Sequence, residues 1–171
     1  GEKDMSISSI IVLALLVFVA VTIFKGVRIV PQGYKWIVQR LGKYHSTLNP
    51  GLNFVIPYID EVAYKVTTKD IVLDIPSQEV ITRDNAVLLM NAVAYINLTT
   101  PEKAVYGIEN YSWAIQNLVQ TSLRSIVGEM DLDDALSSRD HIKARLKSSI
   151  SDDISDWGIT LKTVEIQDIK P

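Results

Sequence analysis

The sequence contains no cysteine in its 171 residues, and histidine is nearly as scarce, with His45 and His141 far apart in the chain. The absence of cysteine excludes disulfide scaffolds, thiolate metal sites and cysteine nucleophiles. The two histidines form no pair at metal-ligand spacing. The sequence therefore predicts no metal site and no cofactor.

Motifs for catalysis are also missing: there is no Gly-x-Ser-x-Gly, no Walker A loop and no Gly-x-Gly-x-x-Gly. The acidic cluster Asp131–Asp134 lacks the glycine and the terminal glutamate of a calcium loop, and is typical of a helix start. Ser138 to His141 holds the residue types of a catalytic triad, but adjacent residues on one helix point in different directions. No catalytic residue is predicted, and a hydrolase remains only as an alternative function.

Positive charge is confined to one part of the chain. Between residues 25 and 59 there is no acidic residue, whereas residues 60–171 hold 11 Lys/Arg against 18 Asp/Glu. No Lys/Arg stripe forms, so nucleic-acid binding is not expected. Basic segments of this kind contact anionic lipids when they lie beside a membrane, and this one directly follows the apolar run described below. The predicted anionic-lipid contacts are Lys25, Arg28, Lys35, Arg40 and Lys43.

A long apolar run from Ile7 to Phe24 carries no charge, proline or glycine. As a helix it is about 27 Å long, close to the roughly 30 Å of a bilayer core. The preceding residues are not basic and no small-x-small site follows, which argues against a cleaved signal peptide. A buried core helix is usually shorter and more polar. We therefore expect a tail at 1–6 and a single-pass transmembrane helix at 7–26.

The flanks of this run predict its orientation. Lys25 and Arg28 follow it, whereas Glu2 and Asp4 precede it. The positive-inside rule places the N-terminus outside and the large domain in the cytoplasm, at the cell (inner) membrane.

Residues 27–100 have the alternation and turn signals of antiparallel β-structure. Pro31-Gln32-Gly33 predicts a turn whose flanking strands pair, and Thr82 to Asn85 predicts a hairpin. Pro57 interrupts the apolar stretch between Leu52 and Ile59. From the residues alone this stretch is either a core-filling loop or a loop that enters the lipid headgroups.

Residues 101–171 read as helices followed by a closing strand. Thr100-Pro101 starts a helix, Gly128 ends another, and Ile142, Leu146, Ile150 and Ile154 form one apolar stripe. In the last strand the apolar residues change phase near Lys162-Thr163, which predicts a β-bulge. The chain is expected to be an α+β protein with a β-rich, membrane-proximal first half and a helix-rich second half.

Five stretches together resemble the stomatin/prohibitin family, also called the SPFH or band 7 family, and in particular its bacterial stomatin-like and paraslipin members. They occur in the family's order and span residues 27–171: Val30-Pro31-Gln32-Gly33, Arg40-Leu41-Gly42-Lys43-Tyr44, Asn49-Pro50-Gly51-Leu52, Asp74 to Asn85, and Trp157-Gly158-Ile159 through Ile169.

The resemblance implies a membrane-anchored scaffold, not an enzyme. Such proteins assemble into homo-oligomeric rings or cages, organise membrane microdomains, and modulate membrane proteins such as AAA-type proteases; an NfeD-like protein is a further expected partner. An adaptor or regulator of a single membrane protease, without large self-assembly, is the first alternative, and a membrane-tethered hydrolase is the second. A coiled coil would be expected after residue 171.

The resemblance also bears on the stretch between Leu52 and Ile59, because the matching loop of the family lies against the membrane. The predicted membrane contacts are Leu52, Phe54, Val55, Ile56, Tyr58 and Ile59.

Overall fold

The computed structural model describes residues 6–171, so the predicted tail lies outside the described residues except for Ser6. The chain divides into two compact units, Gly1–Thr67 and Thr68–Pro171, here called unit 1 and unit 2. The change of pattern near Thr100 falls inside unit 2. The reason is that strands on either side of Thr100 pair with each other in one sheet.

Unit 1 begins with the apolar helix. The helix α1 spans Ile7–Gly26, and the Ser6 hydroxyl accepts a hydrogen bond from the Ser9 amide at its start. Apart from Thr22, which is half-buried, its side chains are exposed, as expected for a helix that meets lipid rather than a protein core. It is the one described helix that is long and apolar enough to cross a membrane.

Five strands follow in unit 1: β1 (Val27–Val30), β2 (Tyr34–Arg40), β3 (Lys43–Leu48), β4 (Gly51–Phe54) and β5 (Asp60–Thr67). They form a two-stranded β1–β4 ribbon and a three-stranded sheet of order β3-β2-β5. Val30, Val38 and Leu48 make a small buried cluster against which Trp36, Val55 and Val62 pack. The predicted pairing across the Pro31 turn was wrong, because β1 takes β4 as its partner and β2 lies in the other sheet.

Unit 2 is one antiparallel sheet with helices packed on it. Its elements are β6 (Ile71–Ile81), β7 (Val87–Asn97), α2 (Pro101–Gly107), α3 (Tyr111–Gly128), α4 (Leu132–Ser137), α5 (Arg139–Ser155) and β8 (Thr160–Lys170). The sheet order is β6-β7-β8, with α3 against β6 and α5 against both β8 and α3.

The α+β class, the β6–β7 hairpin and the helix stripes are confirmed. Ile142, Leu146, Ile150 and Ile154 of α5 are all fully buried. The predicted bulge is also confirmed: Tyr95 pairs with Thr163 while Ile96 pairs with Leu161, so Lys162 is the extra residue.

Candidate functional site

The predicted membrane-contact residues lie in β4 and in the connection from β4 to β5. Leu52, Phe54, Ile56 and Tyr58 are exposed, with side chains alternating toward solvent. Val55 and Ile59 between them are half-buried, and Val55 packs against the cluster around Val38. One set of side chains in this stretch therefore faces the core of unit 1, and the other set is exposed to solvent.

A fifth residue, Ile29, joins the outward set. It is the cross-strand partner of Leu52 in the β1–β4 ribbon, which places the two side chains side by side on one face. We call these residues together the apolar surface; their exposed fractions are Ile29 69%, Leu52 64%, Phe54 62%, Tyr58 58% and Ile56 45%. Sequence reasoning missed Ile29 because its membership depends on the β1–β4 pairing.

The apolar surface is continuous with α1. The Tyr58 ring stacks on Phe18 with centroids 6.0 Å apart. The Tyr58 hydroxyl lies 3.4 Å from Thr22 Oγ1, whose own proton is donated to the Phe18 carbonyl. Because Phe18 precedes the helix end at Gly26 by about 12 Å of helix, Tyr58 lies beside the apolar length of α1 and not beyond its end.

Gly26 makes this close approach possible. It is buried at the end of α1, and its carbonyl accepts a 2.8 Å hydrogen bond from the Val55 amide. A Cβ at this position would collide with the Val55 carbonyl oxygen. The loop can therefore dock on the helix end only because residue 26 has no side chain.

Asp60 fixes the other end of the loop. Its carboxylate forms a bidentate ion pair with Arg40, in which Nε lies 2.7 Å from Oδ1 and Nη2 lies 3.1 Å from Oδ2. It also accepts a 2.9 Å hydrogen bond from the Ile56 amide. The Arg40 hydrogen bond is the main cause that lowers the pKa of Asp60 from 3.8 to about 2, burial opposes this change, and the Ile56 amide adds to it.

The predicted lipid-binding cations do not form one cluster. Arg40 is held by Asp60, and Arg28 donates to the carbonyls of Lys25 and Val27 at the end of α1. Lys35 is half-buried and pairs with Val66 in the sheet, toward the end of β2 away from Arg40. Lys25 and Lys43 are exposed, Lys25 in the last turn of α1 and Lys43 at the start of β3.

Within the described residues, no group of three His, Cys, Asp or Glu side chains is placed to hold a metal ion. Ser138 lies between α4 and α5 and its side chain makes no capping hydrogen bond. The predicted triad-like patch from Ser138 to His141 is the exposed or half-exposed start of α5.

Sequence comparison places these features among known proteins. The chain is 41% identical over 149 residues to an uncharacterized protein of Methanocaldococcus jannaschii, covering 87% of this chain and 74% of that protein. It is 38% identical over 140 residues to stomatin-like protein 2, mitochondrial, of Rattus norvegicus, covering 82% of this chain and 40% of that protein. An uncharacterized protein of Mycobacterium tuberculosis is 36% identical over 167 residues, 97% of this chain.

The chain spans 44% of the length of the mycobacterial relative, so most of that relative lies outside the matched region. The profile of the SPFH domain / Band 7 family matches residues 28–171, which is all of the chain after the apolar helix and its first flanking residue. The strand-rich and helix-rich parts described above both fall inside that match, and the chain therefore belongs to the SPFH domain / Band 7 family.

Proposed function

We propose that this protein is a membrane-anchored scaffold whose unit 1 contacts the bilayer twice, through α1 and through the apolar surface. The observation that carries the proposal is the stacking of Tyr58 on Phe18. If α1 spans the bilayer, a ring beside Phe18 lies below the membrane boundary, and the adjoining Phe54 and Ile56 come with it. Exposed aliphatic and aromatic side chains next to a membrane anchor gain free energy by entering lipid.

The charges near this surface suit the cytoplasmic, anionic leaflet. Lys25 and Lys43 supply exposed positive charge, and Lys25 with Arg28 gives the flank that the positive-inside rule keeps inside. We place unit 2 and the part of unit 1 that follows α1 in the cytoplasm of a cell whose inner membrane holds α1, with the N-terminus outside.

Family membership supports the scaffold at a coarse level. The finer proposal is that copies assemble into rings or cages, confine lipids and membrane proteins, and modulate proteases of the AAA type. Mass photometry of the full chain extracted in mild detergent should then show one large homo-oligomeric species. A monodisperse monomer in native-like lipid would contradict self-assembly.

A second candidate function, an adaptor for one membrane protein, is favoured by a groove on unit 2. Trp113 in α3 is 65% exposed, and with Ile108 and Ala114 it lines an open depression. A partner side chain inserted there would cover the indole. Under this alternative, Trp113→Ala would abolish complex formation with the partner, and purified complexes would contain one copy of each protein.

The lipid contact can be tested by measuring how well lipid protects introduced cysteines from a thiol reagent. The sequence has no native cysteine, so only the introduced residue reacts. Single-cysteine variants Leu52→Cys and Phe54→Cys of the full chain are placed in vesicles and treated with a charged, membrane-impermeant maleimide. Both should react slowly compared with Gln32→Cys, an exposed turn residue in the same unit. Equal rates before and after the vesicles are dissolved in detergent would contradict the contact.

A further inference from the structure

The turn between β2 and β3 has an unusual residue at its first position. Arg40 and Lys43 pair across a two-residue turn formed by Leu41 and Gly42, with φ of +53° and +84°. Such a turn needs left-handed backbone at both positions, and Asn-Gly or Asp-Gly is strongly preferred. Leucine carries a steric penalty there that asparagine or glycine would avoid. A strained non-glycine residue of this kind points to a role for its side chain.

The Leu41 side chain is also 79% exposed, more than any member of the apolar surface. An exposed leucine at a strained turn stabilises neither the turn nor the core of unit 1. Its side chain is therefore available to a partner outside the fold.

Hydrogen bonds link this turn to the apolar surface and to the end of α1. The Leu41 amide donates to the Ile59 carbonyl at 2.9 Å, and the preceding residue, Arg40, holds Asp60. The Asp60 carboxylate in turn accepts a hydrogen bond from the Ile56 amide. Hydrogen bonds and an ion pair thus connect the end of α1, the loop and the turn, with no flexible linker between them.

The other end of β2 lies away from this path. The turn at Gln32 precedes Tyr34, and seven strand residues separate it from Leu41, a distance of about 20 Å. Of the two turns that flank β2, the Leu41 turn is the one tied to the loop that docks on α1.

We propose that Leu41 is a further lipid-inserting side chain of unit 1, which enters the acyl-chain region beside the apolar surface while the exposed Lys43 meets anionic headgroups. This inference rests on the membrane contact proposed above. In this proposal the partner of the strained turn is the bilayer. Unit 1 then contacts lipid at two places, the loop on one side of the Arg40–Asp60 ion pair and the turn on the other side.

Depth measurement by spin labelling tests the inference on the full chain. Leu41→Cys, Phe54→Cys and Gln32→Cys each carry one nitroxide in vesicles of phosphatidylcholine and phosphatidylglycerol. Collision rates with oxygen, which concentrates in lipid, and with a water-soluble nickel complex give the depth of each label. We expect the labels at 41 and 54 to be oxygen-accessible and protected from nickel, and the label at 32 to show the reverse.

A stability measurement separates a lipid role from a structural one. Leu41→Gly removes the side chain and relieves the left-handed strain, so the variant should melt at a higher temperature than the parent in detergent. In vesicles, the equilibrium constant for insertion of the turn should be about tenfold lower for the same variant, as read from a nitroxide on Tyr44→Cys, which leaves Lys43 in place. Leu41→Met, with a similar apolar side chain, should retain insertion.

The outcomes distinguish the two proposals. A lipid-exposed label at 54 with a water-exposed label at 41 would overturn the role of Leu41 and leave the apolar surface standing. Water exposure at both positions would overturn both. Unchanged insertion of the Leu41→Gly turn would show that the side chain does not hold the turn in lipid, and would also overturn the inference.

Discussion

At the scale of single residues, the contact of the β4–β5 loop with α1 depends on two positions that carry no apolar side chain. Gly26 lets the Val55 backbone reach the helix end, and Asp60 holds the loop from its far side through Arg40 and the Ile56 amide. The sequence predicted a lipid contact for Arg40 and did not predict its ion pair with Asp60. The two residues are 20 positions apart, and no local pattern reveals that they pair. The residues proposed to face lipid were recognisable in the sequence because they are apolar, whereas the residues that position them were not recognisable.

Replacing Gly26 by alanine should destabilise unit 1. The new Cβ would collide with a backbone oxygen, which has less freedom to move than a side chain, so we expect a loss of about 1–3 kcal/mol. Thermal unfolding of the full chain in detergent measures the change. Gly107→Ala in α2 is the matched control, because its Cβ would meet Trp157 at an ordinary 3.9 Å. Equal melting temperatures for the parent and Gly26→Ala would refute the packing argument.

Asp60 should make unit 1 sensitive to acid. Its folded pKa of about 2 lies below the ordinary 3.8, so its contribution to stability is complete above about pH 4 and is lost as the pH falls toward 2. Asp60→Asn should lower the free energy of unfolding by about 1.5–3 kcal/mol at pH 7, since it removes hydrogen bonds to a charged group. The difference in melting temperature between parent and variant should shrink between pH 4 and pH 2. A difference that is constant across this range would mean that the ion pair is not its cause.

At the scale of elements, the helices and turns that depend on local sequence pattern could be predicted from the sequence. The strand pairings that join distant parts of the chain could not. The helix start at Thr100-Pro101, the helix end at Gly128 and the bulge near Lys162 follow from spacing along the chain. The β1–β4 ribbon joins residues more than 20 positions apart, and β1 alone is too short to show which strand it pairs with. That ribbon brings Ile29 next to Leu52, so part of the candidate site became visible only in the folded chain.

The α5 helix should be stabilised mainly by the burial of its apolar stripe. Leu146 is fully buried between α5 and its neighbours, and its replacement by alanine should cost about 2–5 kcal/mol. Lys147→Ala, at the adjacent exposed position, should change stability by no more than about 0.5 kcal/mol. Denaturant unfolding in detergent, followed by circular dichroism, measures both variants. Similar midpoints for the two would contradict the assigned stripe.

At the scale of the whole molecule, charge is divided between the units. Unit 1 holds seven Lys/Arg and four Asp/Glu, and unit 2 holds ten and sixteen. The net charges are therefore +3 and −6, and the positive unit is the one that carries the helix able to cross a membrane. Attraction to anionic lipid would favour unit 1 at the membrane surface.

Enrichment of anionic lipid around the protein should depend on salt and on two lysines. Energy transfer from the labelled full chain to labelled phosphatidylglycerol in mixed vesicles should fall as salt shortens the Debye length from about 10 Å at 0.1 M to about 3 Å at 1 M. Lys25→Gln with Lys43→Gln should lower the transfer at low salt. Lys65→Gln, toward the far end of β5, should not, because it lies over Trp36 rather than beside the apolar surface. Salt-independent transfer would reject an electrostatic contribution.

The central claim, that unit 1 enters the bilayer through its apolar surface, is tested most directly by depth-dependent quenching. A fluorophore is attached to Ile56→Cys of the full chain in vesicles whose lipids carry bromine on their acyl chains. The account predicts quenching comparable to that of a label at Phe24→Cys, near the end of α1. Quenching no greater than that of a label at Gln32→Cys would show that the loop stays in water, and would contradict the claim.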